Sequence, residues 1–216
     1  MSLRLASLVL LLCLAAAAPA VAQQPPPRIG PFVVDLRASF PKFPDNQQLA
    51  DSRGLNTTEL PGMGIGGALG VHLYLLKWRA ITFGIGGEVM AGQSHFKPPS
   101  ANGKTGFGVP VTERFVTASP QLSLNFGTGT GWSYISAGLG QSQWSLVPDS
   151  AASTSADTER LRTLNYGGGA RWFAKKHLAF NVDVRLYAID PGAPHLDLPG
   201  GPRTTLLVLN SGISIK

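Results

Sequence analysis

Residues Leu178–Ile189, LAFNVDVRLYAI, alternate between apolar and polar side chains almost without interruption. Successive side chains of a β-strand point to opposite faces, so this stretch predicts a strand with one hydrocarbon face and one polar face. The apolar face comprises Leu178, Phe180, Val182, Val184, Leu186 and Ala188, and the polar face comprises Asn181, Asp183, Arg185 and Tyr187. An acid and a base two residues apart suit a small polar interior in which charges neutralise one another. The pattern favours a transmembrane β-strand between lipid and lumen.

Seven other stretches show the same alternation. They are residues 32–40, 62–76, 81–91, 113–126, 132–144, 163–173 and 205–216. In the first of them, Asp35 and Arg37 repeat the acid and base of the opening stretch on the polar face. With 26 glycines and few helical patterns, the chain is expected to be all-β and to form one domain.

The connections between these strands alternate strictly between long and short. The long ones are residues 41–61, 92–112, 146–160 and 190–203, and the short ones are residues 77–79, 127–131 and 174–177. Outer-membrane barrels keep short periplasmic turns and long external loops, whereas a soluble barrel of the lipocalin type has no reason to segregate them. The sequence therefore predicts an eight-stranded antiparallel up-and-down transmembrane β-barrel with short periplasmic turns and four long external loops.

The first 22 residues have the features of a secretory signal peptide. Arg4 supplies the positive start, residues 8–18 the apolar core, and Ala20-Val21-Ala22 the small-residue cleavage site. We expect cleavage after Ala22, a proline-rich lead-in at residues 23–29 and the barrel domain at residues 30–216. The only cysteine, Cys13, falls within the signal, so the exported chain is expected to hold no disulfide and no thiolate metal site.

After the signal, no run approaches the ~18 to 20 apolar residues that a membrane helix needs, so any spanning must be by strands. The 18 Lys and Arg residues exceed the 12 Asp and Glu residues, but the charges are dispersed along the chain. There is no basic run of the kind that nucleic-acid binding requires, and we expect no nucleic-acid partner.

Aromatic residues gather near the short turns, where an interfacial girdle would lie. They are Phe32, Phe126, Trp132, Trp172 and Phe180. Amphipathic aromatic rings are enriched at membrane–water interfaces, so all five are expected to face outward. The alternative is ordinary filling of a core.

Residues 167–190, GGGARWFAKKHLAFNVDVRLYAID, look like the penultimate hairpin of a known family. Together with the signal peptide and the loop alternation, they make the chain from about residue 30 to its end resemble the small eight-stranded outer-membrane barrels of the OmpA, OmpX and opacity-protein type. The resemblance implies the bacterial outer membrane, lipids and the barrel-insertion machinery as partners, and a monomer. Such barrels commonly end on an aromatic residue, whereas this chain ends Ile213-Ser214-Ile215-Lys216.

Seven ionisable residues are expected to point into the lumen. They are Asp35, Arg37, His72, Glu88, Arg171, Asp183 and Arg185. Buried charges persist only when paired, so we interpret the set as a structural network that plugs the interior. Arg171 lies on the strand beside that of Asp183, which makes these two residues expected partners. A gated ion path through a small pore is the alternative.

Enzymatic, cofactor and metal sites find little support in the sequence. A few barrels of this size modify lipids with a serine, a histidine and an acid, but none of the four histidines stands beside an outward serine and an acid at strand spacing. No metal-ligand spacing is present, and the glycine-rich residues 62–67 lack the following helix of a phosphate site. We expect a non-enzymatic envelope scaffold, without cofactor, whose four loops serve adhesion, binding or envelope integrity through an unidentified external ligand.

Overall fold

The alternation closes eight strands into one antiparallel barrel, which confirms the predicted fold class. The structure is a computed structural model and describes residues 27–101, 104–105 and 108–216; the signal peptide and residues 23–26 lie outside them. The strands are β1 Phe32–Lys42, β2 Ile65–Trp78, β3 Ile81–Phe96, β4 Val111–Thr128, β5 Gly131–Pro148, β6 Leu161–Phe173, β7 Leu178–Ile189 and β8 Thr204–Ile215. Each pairs with its neighbours in sequence, and β1 pairs with β8 to close the sheet.

The connections divide the barrel into two ends. Residues 79–80, 129–130 and 174–177 form the short-turn end, and residues 43–64, 97–110, 149–160 and 190–203 form the long-loop end. Two of the turns contain only two residues, because the flanking strands extend further toward this end than the sequence pattern predicted. At the first of them, Arg79 adopts a left-handed conformation with φ of 54°.

Large apolar side chains cover the outside of the barrel on every strand. Each strand contributes at least one that is well exposed: Leu36, Leu69, Ile85, Leu122, Ile135, Leu164, Val184 and Leu209. Cross-strand pairs such as Leu36 with Leu69 and Val184 with Leu209 join them around the wall. This surface, the apolar belt, is built from the face of each strand that the sequence predicted to lie outward.

Toward the long-loop end the polarity of the wall reverses. Strands β3, β4 and β5 extend to residues 96, 111 and 148, beyond the predicted ends at 91, 113 and 144. In and beside these extensions Gln93, Arg114 and Gln143 face outward, while Phe115 and Trp144 are buried inside. The period of two continues, but with polar residues outside and apolar residues inside, as in a wall that faces water.

The interior at this end is an apolar cluster, the outer core, that includes a cap from the first long loop. Helix α1 Gln47–Asp51 begins at Asn46, whose side chain accepts a 2.9 Å hydrogen bond from the Leu49 amide. Leu49 and Ala50 are buried against Phe115 and its neighbours. The first loop, predicted to be an external loop, therefore closes the barrel. The third loop carries one further helical turn, α2 Ser155–Thr158.

No helix in the described part of the chain is long and apolar enough to cross a membrane.

The opposite end of the interior is closed by an apolar layer, the inner plug, made of Ile29, Val33, Tyr74, Trp132 and Phe173. The expectation that Trp132 faces outward is therefore wrong. Its ring packs edge-on against Tyr74 at 5.7 Å and stacks on Phe173 at 5.0 Å between centroids. Trp132 has the same parity along β5 as the inward Ser136, and strand geometry fixes its direction. The other four girdle aromatics are exposed.

Glu59, in the 3-10 turn Thr57–Glu59, ties the first long loop to the second. Its carboxylate accepts hydrogen bonds from the backbone N–H groups of Asn56 at 2.8 Å and Val109 at 2.9 Å. The Asn56 N–H foremost, and then that of Val109, hold the pKa of Glu59 below its ordinary value, because both donate to the charged form. Gly108 fits beside it with φ of +114°, and a Cβ there would approach Glu59 Oε1 to 3.1 Å.

We expect Glu59→Gln to loosen this junction at neutral pH and to have little effect in acid. A carboxyl whose pKa is lowered by folding stabilises the fold above its unfolded pKa, near 4.3, and loses that contribution as the pH falls through the folded value. Hydrogen–deuterium exchange of residues 108–110, compared between variant and unchanged protein at neutral pH and well below the ordinary Glu range, measures the effect.

Asp45→Asn is the matched control, because it removes the same charge from an exposed position in the same loop. Equal exchange of residues 108–110 in Glu59→Gln and the unchanged protein at neutral pH would contradict the role of the Glu59 carboxylate.

Candidate functional site

The middle of the barrel, between the outer core and the inner plug, contains the seven ionisable residues that the sequence placed in the lumen. All seven are at most 4% exposed: Asp35, Arg37, His72, Glu88, Arg171, Asp183 and Arg185. They come from β1, β2, β3, β6 and β7, so the barrel brings together residues up to 150 positions apart in the chain. The three acids and three arginines make this layer formally neutral.

Asp35 and Arg171 form one bidentate ion pair. Arg171 Nε donates to Asp35 Oδ1 at 3.0 Å, and Nη2 donates to Oδ2 at 2.5 Å. Ser214 on β8 also donates to Oδ1, at 2.6 Å. The expected pairing of Arg171 with Asp183 is wrong: in the β6–β7 ladder Arg171 stands opposite Asn181, and Gly169 stands opposite Asp183. Adjacent strands therefore do not bring these two side chains level, and Arg171 reaches across the lumen to β1.

The other four charged residues form a ring of alternating sign. Arg37 contacts Glu88 at hydrogen-bond distance and lies 3.5 Å from Asp183, measured from Nη1 to Oδ1. Arg185 Nη2 is 2.9 Å from Asp183 Oδ2, and Arg185 Nε is 3.5 Å from Glu88 Oε1. Each arginine thus contacts both carboxylates, and each carboxylate contacts both arginines.

Neutral side chains satisfy the remaining acceptor sites of this ring. Tyr134 donates its hydroxyl proton to Asp183 Oδ2 at 2.9 Å, and Tyr187 donates to Glu88 Oε1 at 2.8 Å. Asn210 Nδ2 donates to Asp183 Oδ1 at 3.0 Å. Sequence reasoning missed Tyr134, which lies on β5. Its parity with the inward Ser136 was the available signal.

Tyr134 also connects the ring to the Asp35–Arg171 pair. The Arg171 guanidinium carbon lies 4.0 Å from the centroid of the Tyr134 ring, within cation–π distance, while the hydroxyl of the same ring bonds Asp183. The two charge groups are therefore in contact through one aromatic side chain.

His72 lies in the same layer but outside its hydrogen bonds. Neither ring nitrogen has a partner among the described residues, and the ring lies against Gly86 of β3. A Cβ at Gly86 would come within 2.6 Å of His72 Cδ2. His72 thus occupies space that a glycine leaves open, while the six charged residues hold the contacts.

Glu113 is a further ionisable residue inside the barrel, and sequence reasoning did not assign it to the interior. It lies in the outer core, fully buried, where Trp144 Nε1 donates to its Oε1 at 2.8 Å. Glu113 is four residues from the inward Thr117 and therefore lies on the same face of the strand. It stands at the predicted beginning of that strand, where the alternation was incomplete.

The four long loops contact one another and form one outer surface. Arg53 Nε of the first loop lies 3.7 Å from Asp157 Oδ1 of the third. In the third loop, Glu159 accepts a 3.1 Å hydrogen bond from the Ala193 amide of the fourth. Because the loops are tied by these bonds, a ligand would meet a single ordered surface, not four separate segments.

Ser155 and His195 meet on this outer surface. Ser155 Oγ and His195 Nδ1 are 2.7 Å apart, a contact between the third and fourth loops that spacing in the sequence could not show. Both side chains are accessible, and within the described residues no carboxylate bonds the other ring nitrogen. A triad needs that third group to orient the histidine, so the pair is a loop contact. Nor do any three His, Cys, Asp or Glu side chains of the described residues converge as metal ligands would.

No protein-family model matches the chain. No curated protein is significantly similar to it in sequence. Solved structures are similar in fold: Neisserial surface protein A superposes with a TM-score of 0.55 at 12% identity, over 87% of this chain and 97% of its own. Two others are OprG of Pseudomonas aeruginosa, with a TM-score of 0.49 at 12% identity over 88% and 97%, and the attachment invasion locus protein Ail of Yersinia pestis, with 0.45 at 12% over 85% and 96%. The chain has the fold of the small eight-stranded outer-membrane β-barrels.

Proposed function

We propose that the protein resides in the bacterial outer membrane as a closed, non-enzymatic barrel that presents its joined long loops outside the cell. One observation carries the proposal: the wall is hydrocarbon on the outside while the interior is filled by a neutral, hydrogen-bonded charge network. The first half of that observation argues for lipid as the surroundings. The second half argues that the barrel serves as a scaffold.

The apolar belt supports a membrane location because exposing so large an apolar surface to water would be unfavourable. Soluble proteins rarely expose contiguous apolar patches larger than a few hundred Å². Here Leu122 is 68% exposed, Phe180 61% and Ile65 63%, and similar residues continue around the wall. The outward polar residues Gln93, Arg114 and Gln143 mark where the belt ends and water begins.

The filled interior favours a scaffold function and argues against a pore. The inner plug, the charge layer and the outer core follow one another along the axis and consist of buried side chains. An ion path would need water beside the charged groups, whereas here the carboxylates and guanidinium groups are in contact with one another. The gated channel therefore requires rearrangement of all three layers.

The joined loop surface is the part of the molecule we propose to act on other molecules. It serves adhesion, binding of an external ligand, or envelope integrity, because function in such barrels lies mainly in surface loops. Outer-membrane lipids and the barrel-insertion machinery are the other proposed partners, and the barrel acts as a monomer.

Location and orientation can be tested together in a bacterial host that expresses the full chain. We expect the protein to fractionate with the outer membrane and to change mobility on a gel after boiling. Trypsin added to whole cells should cut only at exposed sites of the long-loop end, such as Arg160 or Arg203, and should cut at Lys77, Arg79 or Lys175 after the cells are permeabilised. Cleavage at those short-turn sites in intact cells would contradict the orientation.

The role of the charge ring can be tested by removing one member. Asp183→Ala leaves Arg37 and Arg185 short of a counter-charge in the interior, which should cost on the order of 3 to 5 kcal/mol. Val184→Ala, the adjacent outward position at 46% exposure, should cost less because no partner is left unpaired. Urea titration of the refolded barrel compares the two free energies of unfolding, and the reverse order would show that Asp183 is not part of a closed network.

A further inference from the structure

The charged side chains at the short-turn end of the barrel are all basic. Its Lys and Arg residues are Arg28, Lys77, Arg79, Lys175, Lys176 and Lys216, and no Asp or Glu accompanies them. All 12 acids of the chain lie among the described residues, in the interior or at the long-loop end. The first five residues are exposed and form no ion pair in the described structure; we call them the basic face.

The rest of the molecule is close to neutral. The charge layer balances three acids with three arginines, and at the long-loop end basic residues stand among eight acids, six of them exposed or partly exposed. Ion pairs form there, such as Arg203 with Asp190 at 3.2 Å. The excess of basic over acidic residues is therefore concentrated at one end of the barrel. The sequence does not show this asymmetry, because the basic residues come from four separate segments of the chain. These segments lie at the same end of the barrel only in the folded structure.

The basic face lies directly beneath the apolar belt. Trp78 is 58% exposed at the edge of the belt, and the Arg79 guanidinium carbon lies 5.5 Å from the centroid of its ring. Trp172 is 56% exposed three residues before Lys175. Exposed tryptophans at the edge of a belt mark the headgroup level, so these cations stand at the height of lipid phosphates.

A groove on this face combines cationic and apolar walls. It has a volume of about 790 Å³, and its lining includes Lys175 and Lys176 together with Phe32 and Phe173. Lys216 also lines it, but its ammonium group lies 3.8 Å from the Phe173 ring centroid and bonds the Gly129 carbonyl. A molecule that fits must bring a negative group beside hydrocarbon, which is the chemistry of an anionic phospholipid.

We propose that the basic face binds the headgroup phosphates of anionic phospholipids in the inner leaflet of the outer membrane. The leaflet follows from the orientation proposed above, whereas the binding itself depends only on the charges and the groove. The acidic polymers of the cell wall would also be attracted to a cationic surface, but they would not use the position of these residues at the edge of the belt.

The test compares two variants that lose the same number of positive charges. The first replaces the basic face: Arg28→Gln, Lys77→Gln, Arg79→Gln, Lys175→Gln and Lys176→Gln. The second replaces exposed bases of the long-loop end that form no ion pair in the described structure: Lys42→Gln, Lys97→Gln, Arg114→Gln, Arg160→Gln and Arg162→Gln. Full-length protein in neutral detergent micelles is titrated with phosphatidylglycerol or with phosphatidylcholine of the same acyl chains, and bound lipid is counted by native mass spectrometry.

We expect the unchanged protein and the long-loop variant to prefer phosphatidylglycerol, with a preference that weakens as salt is added. The basic-face variant should lose about tenfold or more of that preference, because each Lys or Arg near an anionic surface contributes to binding. The boiling-dependent gel shift checks that each protein is folded. If the unchanged protein shows no gel shift, the proposal that it is a membrane barrel is contradicted.

Two results would overturn the lipid proposal while leaving the barrel intact. One is equal binding of both lipids by the folded, unchanged protein. The other is an unchanged lipid preference in the basic-face variant together with a loss of its co-sedimentation with purified peptidoglycan, which would assign the face to the cell wall.

Discussion

The mutual neutralisation of six buried charges is the interaction on which this barrel depends. A barrel of eight strands has an interior just wide enough for side chains to fill. Three carboxylates and three guanidinium groups occupy that space, and an unpaired buried charge would cost several kcal/mol. The arrangement tolerates them because each arginine of the ring contacts two acids and Arg171 holds Asp35 with two hydrogen bonds. Hydroxyl and amide donors from Tyr134, Tyr187 and Asn210 take up acceptor sites that the arginines leave.

The surroundings of the barrel decide which residues belong inside it at each level. Within the apolar belt, the hydrocarbon face of each strand contacts lipid, and the polar side chains must find hydrogen-bond and ion-pair partners in the lumen. Beyond the belt, water takes the polar face, and Phe115, Trp144 and Leu49 form an ordinary apolar core. A single strand therefore has apolar residues outside and polar residues inside within the belt, and the reverse arrangement beyond it. Residues such as Glu113 and Arg114 stand next to each other at this transition, one buried in the outer core and the other exposed.

The strand period was enough to predict the number of strands, their outward faces and the inward direction of all seven candidate residues. It was not enough to pair those residues, because contacts across a lumen depend on the offset between strands, which placed Arg171 against Asp35 and not Asp183. The extended parts of β3 to β5 escaped prediction because their polarity reverses. Helix α1 escaped because its two buried residues, Leu49 and Ala50, gain their neighbours only when the barrel is closed. The basic face likewise depends on bringing separate turns to one end.

Electrical conductance measures most directly whether the interior is closed. The purified, folded protein should be added to planar lipid bilayers in concentrated salt, at voltages of both signs. We predict no stepwise current, because the inner plug, the charge layer and the outer core leave no continuous aqueous path. The same preparation should show the boiling-dependent gel shift, so that the absence of current cannot be attributed to unfolded protein. Reproducible unitary steps from the folded protein would contradict the account and would make the charged layer the lining of a channel.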